Sequence, residues 1–204
     1  MLTNGGIVGV SDHGGWAVLV TAARDGMLLD RRQVELVDEG LPKLPHHHEC
    51  QGLPLDEAVA LVERVRLSAE RHAMLALDAV AMAVPHIFGV ALRNCPQLPP
   101  SIAERIKNYR AQNVADWVMY RKALASAAEA RGWPVHWYDA KTVLGAASRA
   151  LRVESLDAHF LQVRRAVGPP WDRDHKLAMG AAIVAGRVFV ELGKDLENGR
   201  FSKM

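Results

Sequence analysis

The uninterrupted apolar run Ile87-Phe88-Gly89-Val90-Ala91-Leu92 stands between two long stretches whose apolar residues recur at helical spacing. A strand with no polar alternation is buried on both faces, and a strand reached through a helix pairs parallel to its neighbour. Pro134-Val135-His136-Trp137-Tyr138 follows the second helical stretch and reads as a further parallel strand. Such strands need helices on both sides of their sheet, and therefore a sizeable core. The chain can supply one: it has 204 residues, 50% hydrophobic, enough for a single domain over its whole length. That apolar fraction excludes disorder, and 16 Gly with 2 Cys exclude collagen-like and disulfide-framework classes.

Ahead of these elements, residues 1–39 read as a three-stranded meander. Ile7-Val8-Gly9-Val10 opens it, Asp12-His13-Gly14-Gly15 turns, and Trp16 to Thr21 returns. Asp25-Gly26 carries a hairpin signal, and the alternation through Arg32–Val37 gives a half-exposed third strand. Residues 40–54 form a Pro-rich loop holding His46-His47-His48-Glu49. A helix then starts with Asp56 and Glu57 in its first turn and continues to Val84, before Pro85. A break near Met74–Asp78 is its competing reading. Ser101, with Glu104 in the capping-box position, opens a long helix to about Arg131. Lys141–Leu151, Ser155–Val167 and Asp174 to about Glu191 are the closing helices, and residues 193–204 read as a flexible tail. The order is β-β-β-α-β-α-β-α-α-α.

The N-terminus lacks the basic-then-apolar pattern of a signal peptide, and the most apolar long window, Ala73–Leu92, contains Asp78, Pro85 and His86. No membrane partner is expected. Cys50 and Cys95 fit no metal or redox spacing and suit the reducing cytoplasm. The net charge of +2 is no footprint for nucleic acid, although Arg105, Lys107, Arg110, Arg121 and Lys122 populate the long helix. The aromatics Tyr109, Trp117, Tyr120 and Trp137 read as core or dimer-interface residues.

Several local features carry both a chemical and a structural reading. Asp12 stands where strand ends present ligands, and equally where an Asp hydrogen-bonds its own turn. Asp172, Asp174 and His175 open a helix that acids stabilise with no function required, Asp174 as its N-cap. Three histidines and an acid in a Pro-flanked loop suit a transition metal or a general base, or simply a solvated loop.

The element order, together with Gly9-Val10-Ser11-Asp12-His13-Gly14, Tyr138-Asp139-Ala140-Lys141 and Asp172-Arg173-Asp174-His175-Lys176-Leu177-Ala178-Met179, resembles the ribonuclease H-like fold. Within it, the chain is similar to the RuvC-type Holliday-junction resolvases as a divergent member. The resemblance implies an α/β fold: a five-stranded mixed sheet, three antiparallel strands then parallel ones, with helices on both faces. It also implies a metal-dependent nuclease or nuclease-like protein acting on DNA phosphodiesters. Asp12 and Asp174 would then hold Mg²⁺ or Mn²⁺, which activates water and stabilises the phosphate charge. His175 would assist them and Lys141 would face the phosphate. His47, His48 and Glu49 would be auxiliary ligands or bases, and Arg105, Lys107, Arg110, Arg121 and Lys122 would contact DNA. DNA and a second copy of the chain are the implied partners.

The resemblance departs at two places. Arg93-Asn94-Cys95 follows the fourth strand, where the family carries a Glu, and Asp12 falls one position late in the first motif. Glu57, on the first helix, is the candidate replacement acid. A catalytically degenerate binding or assembly module is the alternative reading.

Overall fold

The computed structural model describes residues 5–197. Its sheet has five strands in the order β3-β2-β1-β4-β5: β1 Gly6–Asp12, β2 Trp16–Ala22, β3 Leu28–Glu35, β4 Ile87–Arg93 and β5 Val135–Tyr138. β1 pairs antiparallel with β2 and parallel with β4, β2 pairs antiparallel with β3, and β4 pairs parallel with β5. The mixed sheet expected from the sequence is therefore present, with β1 at its centre.

Two apolar cores lie on the two faces. Val8 and Val10 of β1 and Leu19 of β2 face α1 (Leu55–Ala83) and α3 (Tyr109–Glu129). Ile7 of β1 with Val18 and Val20 of β2 faces α4 (Val143–Leu151), α5 (Leu156–Val167) and α6 (Arg173–Glu197). Strand side chains alternate between faces, so neighbours on β1 belong to different cores.

α1 is unbroken across Met74–Asp78. Its buried stripe of Ala58, Val62, Val65, Ala69, Ala73, Leu77 and Val80 recurs every three or four residues, and Pro85 follows its end. The long helix expected from Ser101 to Arg131 is instead two. α2 (Ile102–Lys107) starts with the expected Ser101–Glu104 capping box, and Asn108 leaves helical geometry at φ −108° and ψ 106°. Asn108 then caps α3 by accepting from the Ala111 N–H, a competing role that Asn performs well. α6 begins one residue before Asp174 and extends through Glu197, so part of the expected tail is helical; residues 198–204 lie outside the described residues.

Two contacts place α6 over the sheet. Arg31 of β3 donates to the carbonyls of Val167 (2.9 Å) and Gly168 (3.0 Å) and also reaches Pro169 and Pro170, fixing the segment that enters the helix. Gly9 lets the α6 backbone lie directly on β1: a Cβ there would sit 1.8 Å from the Ala178 carbonyl oxygen and 2.8 Å from the Ala182 nitrogen. Because the obstruction is backbone, Gly9→Ala is expected to destabilise by at least about 1–3 kcal/mol, read as a lowered urea midpoint.

On the other face Asp38, just beyond β3, accepts from Ser68 (2.8 Å) and meets His72 (2.9 Å) and Arg71 of α1. The hydrogen bonds from His72 and Ser68, helped by the Arg71 charge, hold its carboxyl below the ordinary value of 3.8. A depressed folded-state value means stability that is present above the unfolded-state value and lost as pH falls through the folded one. Acid unfolding below about pH 4 should therefore be shallower in Asp38→Asn, as followed by circular dichroism across a pH series.

Candidate functional site

The carboxyl ends of β1 and β4 meet the start of α6 and the middle of α3. In open α/β sheets ligands bind outside the carboxyl ends of adjacent parallel strands, where chain direction switches. β1 and β4 are such a pair, with antiparallel β2 on the other side of β1.

Asp12 ends β1 on the face of Val8 and Val10, turned toward α3. It is 1% exposed and accepts from Arg121 Nε at 2.7 Å, while Arg121 also donates to the Asn94 carbonyl at 2.9 Å. Its other oxygen, Oδ1, has no hydrogen-bond partner among the described residues and stands 3.9 Å from Arg93 Nε, which is buried and likewise unpartnered among them. Arg93, last residue of β4, occupies the place where the resemblance would put an acid.

Asp174 is on the opposite face. Its Oδ1 accepts from Ser11 Oγ at 2.7 Å and meets His13 Nε2 at 2.9 Å. Arg93 reaches over the sheet edge to donate to Ser11 Oγ at 3.3 Å. The His13 ring stacks on Trp16, centroids 4.1 Å apart and planes 6° from parallel. Ser11, His13 and Arg93 were not among the residues expected to act. The signal for Ser11 lay in the strand period: one residue along a strand reverses the face.

The expected pairing of Asp12 with Asp174 in one metal site does not form, because their side chains turn to opposite faces of β1 and each is held by other groups. A two-metal site needs carboxylates bridging ions about 4 Å apart. Here one carboxylate is ion-paired to arginine and the other carries a serine and a histidine. Among the described residues no cluster of three His, Cys, Asp or Glu side chains is arranged to hold a metal. The residues present do not fit the Mg²⁺ or Mn²⁺ centre that the resemblance implies.

The other expected residues are placed as follows. His175 is buried, with Nδ1 2.7 Å from Asp172, and its ring lies against Trp171 rather than at β1. Asp172, not Asp174, caps α6 by accepting from the Asp174 and His175 amides at 3.0 and 3.3 Å. Burial tends to raise the Asp172 carboxyl, but the hydrogen bonds and charge of His175 outweigh it and hold it below its ordinary value. Lys141 is exposed past β5; its amide donates to Asp139 at 2.8 Å. Glu57 is exposed in the first turn of α1.

The histidine loop has a structural partner that the sequence did not suggest. His46 is buried with Nδ1 2.7 Å from Asp116 of α3, and the His46 and His47 amides both donate to the Asp116 carboxylate at 3.1 Å. This pins Pro45–Glu49 as a π-helical turn on α3, leaving His48 and Glu49 exposed and His47 half-buried. The loop does cover the site's rim, because Leu44 packs on Gly14 of the β1–β2 turn. It does not bring His47, His48 or Glu49 into contact with Asp12. Among the basic residues, Lys107, Arg110 and Lys122 are exposed, whereas Arg105 donates to the Pro99 and Pro100 carbonyls and Arg121 is committed to Asp12. Arg121 is therefore an internal countercharge and not a surface phosphate contact.

No protein-family model matches the chain, and no curated protein matches it in sequence. Solved structures are similar: T. thermophilus RuvC in complex with a Holliday junction substrate has a TM-score of 0.51 at 14% identity, over 92% of this chain and 96% of that one. A second T. thermophilus RuvC structure has a TM-score of 0.48 at 15% identity over the same shares. At this identity the likeness shows the fold, which is ribonuclease H-like. Among the described residues no helix is long and apolar enough to cross a membrane.

The buried pair is the testable core of this arrangement. Arg121→Gln strands the Asp12 charge and should cost about 3–5 kcal/mol; adding Asp12→Asn removes that charge and should restore much of the loss. Urea melts of the two singles and the double make the cycle.

Proposed function

We propose that this chain is a nuclease-like protein, a single ribonuclease H-like domain acting in the cytoplasm, that engages DNA phosphodiesters at the carboxyl edge of β1 and β4. The observation carrying this reading is the convergence of Ser11, Asp12, His13, Arg93, Arg121 and Asp174 on that edge. With Arg121 neutralised by Asp12, Arg93 is the cation at this edge that can face a phosphate, and the His13 imidazole on Asp174 is the group that can move a proton there. The fold's likeness to a resolvase bound to a Holliday junction directs the proposal to branched DNA. Exposed Lys107, Arg110 and Lys122 supply phosphate contacts outside the site, and a second copy of the chain would give a branched substrate two such surfaces.

A second reading is favoured by the sealing of Asp12 under Arg121: a module that binds branched DNA without cutting it. The metal-dependent nuclease implied by the resemblance requires Asp12 or Asp174 to leave its present partners.

Fluorescence anisotropy with junction and single-stranded DNA tests the shared part of both readings. Binding should weaken with salt, and Lys107→Ala, Arg110→Ala and Lys122→Ala together should weaken it about tenfold or more and flatten that salt dependence. No salt-dependent binding to either DNA rejects the reading. Incubation of the bound DNA with Mg²⁺, with Mn²⁺ and with chelator separates the nuclease from the module.

A further inference from the structure

The hydrogen bonds at the α6 face form a directed chain. Arg93 donates to Ser11 Oγ, Ser11 donates to Asp174 Oδ1, and the same oxygen receives His13 Nε2. A carboxylate accepting from Nε2 fixes the tautomer with the proton on that nitrogen, leaving Nδ1 as the basic one. Nδ1 has no hydrogen-bond partner among the described residues, and the His13 side chain is 36% exposed. Trp16 covers one face of the ring and holds its plane. The imidazole is thus oriented from two sides, with its free nitrogen available.

Arg93 completes the arrangement. Its side chain is 27% exposed; one terminal nitrogen donates to Ser11 and Nε is buried facing Asp12 at 3.9 Å, so the guanidinium is held at the edge as a fixed positive charge. The positive charge that a bound ion would bring to this edge is already built into β4 by Arg93.

Resting on the proposed engagement of DNA phosphodiesters, we propose that His13 is the general base of a metal-independent hydrolysis, with Asp174 as its positioning residue and Arg93 as the countercharge to the phosphate. A water oxygen forms the new bond to phosphorus as the bond to the leaving nucleotide oxygen breaks and takes its electron pair. His13 Nδ1 takes the water proton, and the protonated ring returns a proton to the departing oxygen directly or through solvent. Atoms and electrons balance with water as the only co-reactant. Ser11 transmits the position of Arg93 to Asp174 and stays unmodified.

The test is cleavage of junction and single-stranded DNA by the whole chain in chelator, with wild type, His13→Gln, His13→Ala and Asp174→Asn. Gln can donate to Asp174 and lie on Trp16 but cannot take a proton, so it separates chemistry from folding, with thermal melts as the control. The expected result is cleavage that persists in chelator, falls about 10²-fold or more in His13→Gln and His13→Ala, and returns in His13→Ala when imidazole is added. Asp174→Asn should lower the turnover rate by a larger factor than it changes junction affinity.

Cleavage that needs Mg²⁺ or Mn²⁺, or that survives His13→Gln, overturns the inference and leaves the nuclease-like reading standing. Junction binding without cleavage in any condition overturns it and leaves the binding module. Absence of both overturns the inference and the functional reading together.

Discussion

β1 is the central strand of the sheet and is covered on both faces, so every residue along it must satisfy one of two different neighbourhoods. The constraint is tightest at Gly9, where the α6 backbone lies on the strand with no room for a side chain. It fixes how close α6 comes, and so brings Asp174 within hydrogen-bond distance of Ser11 and His13 just beyond the last buried turn of contact. The alternation of the strand turns Asp12 the other way, into the space between the sheet and α3, where Arg121 meets it. One strand end therefore serves two carboxylate systems on opposite faces. Arg93, at the end of the neighbouring parallel strand, is the group that touches the edge of both.

Burying Asp12 and Arg121 is costly unless each charge is matched and its remaining hydrogen-bonding capacity is used. The match is only partial: Arg121 is spent on Asp12 and the Asn94 carbonyl, while Asp12 Oδ1 and Arg93 Nε face each other unpartnered across 3.9 Å. Buried polar atoms without partners are rare enough that each calls for a reason. Here they sit just beneath the carboxyl edge of β1 and β4, the place where open α/β sheets bind ligands, so the unused capacity lies next to the proposed site. On the α6 face no such deficit exists at Ser11, whose hydroxyl both donates and accepts.

The fold was legible because its signals are long: an apolar run for β4, two helical periods, and an element order few folds share. The site was not, because it depends on single-residue phase and on contacts between distant positions. Asp12 shares a face with Val8 and Val10, whereas Ser11 shares one with Ile7 and Gly9, so the acid that ends β1 is directed away from α6. Arg93 is at once the absence of an acid at the end of β4 and the presence of a cation there. The histidine run looked like chemistry because its partner, Asp116, lies 70 residues away on α3, and nothing local indicates that one carboxylate takes up His46 and two backbone amides. Asn108 is the opposite case. Asn is a strong N-cap and a weak helix interior residue, so the break between α2 and α3 was available in the sequence.

What the site can do follows from which cation it contains. A divalent ion on carboxylates both neutralises a phosphate and lowers the pKa of its bound water, supplying the nucleophile with the charge. A guanidinium supplies the charge alone; it does not activate water, so a site built on arginine needs a separate group to accept the proton. Imidazole is the side chain suited to that near neutral pH, and His13 stands in the same hydrogen-bond chain as Arg93 with its orientation fixed by Asp174 and Trp16. In the proposed reaction, Arg93 at the end of β4 and the oriented His13 after β1 would together meet the requirement that a divalent ion meets alone. Arg31 supports both from a distance, since its hold on the carbonyls of residues 167–170 sets where α6 begins and hence where Asp174 can meet the ring.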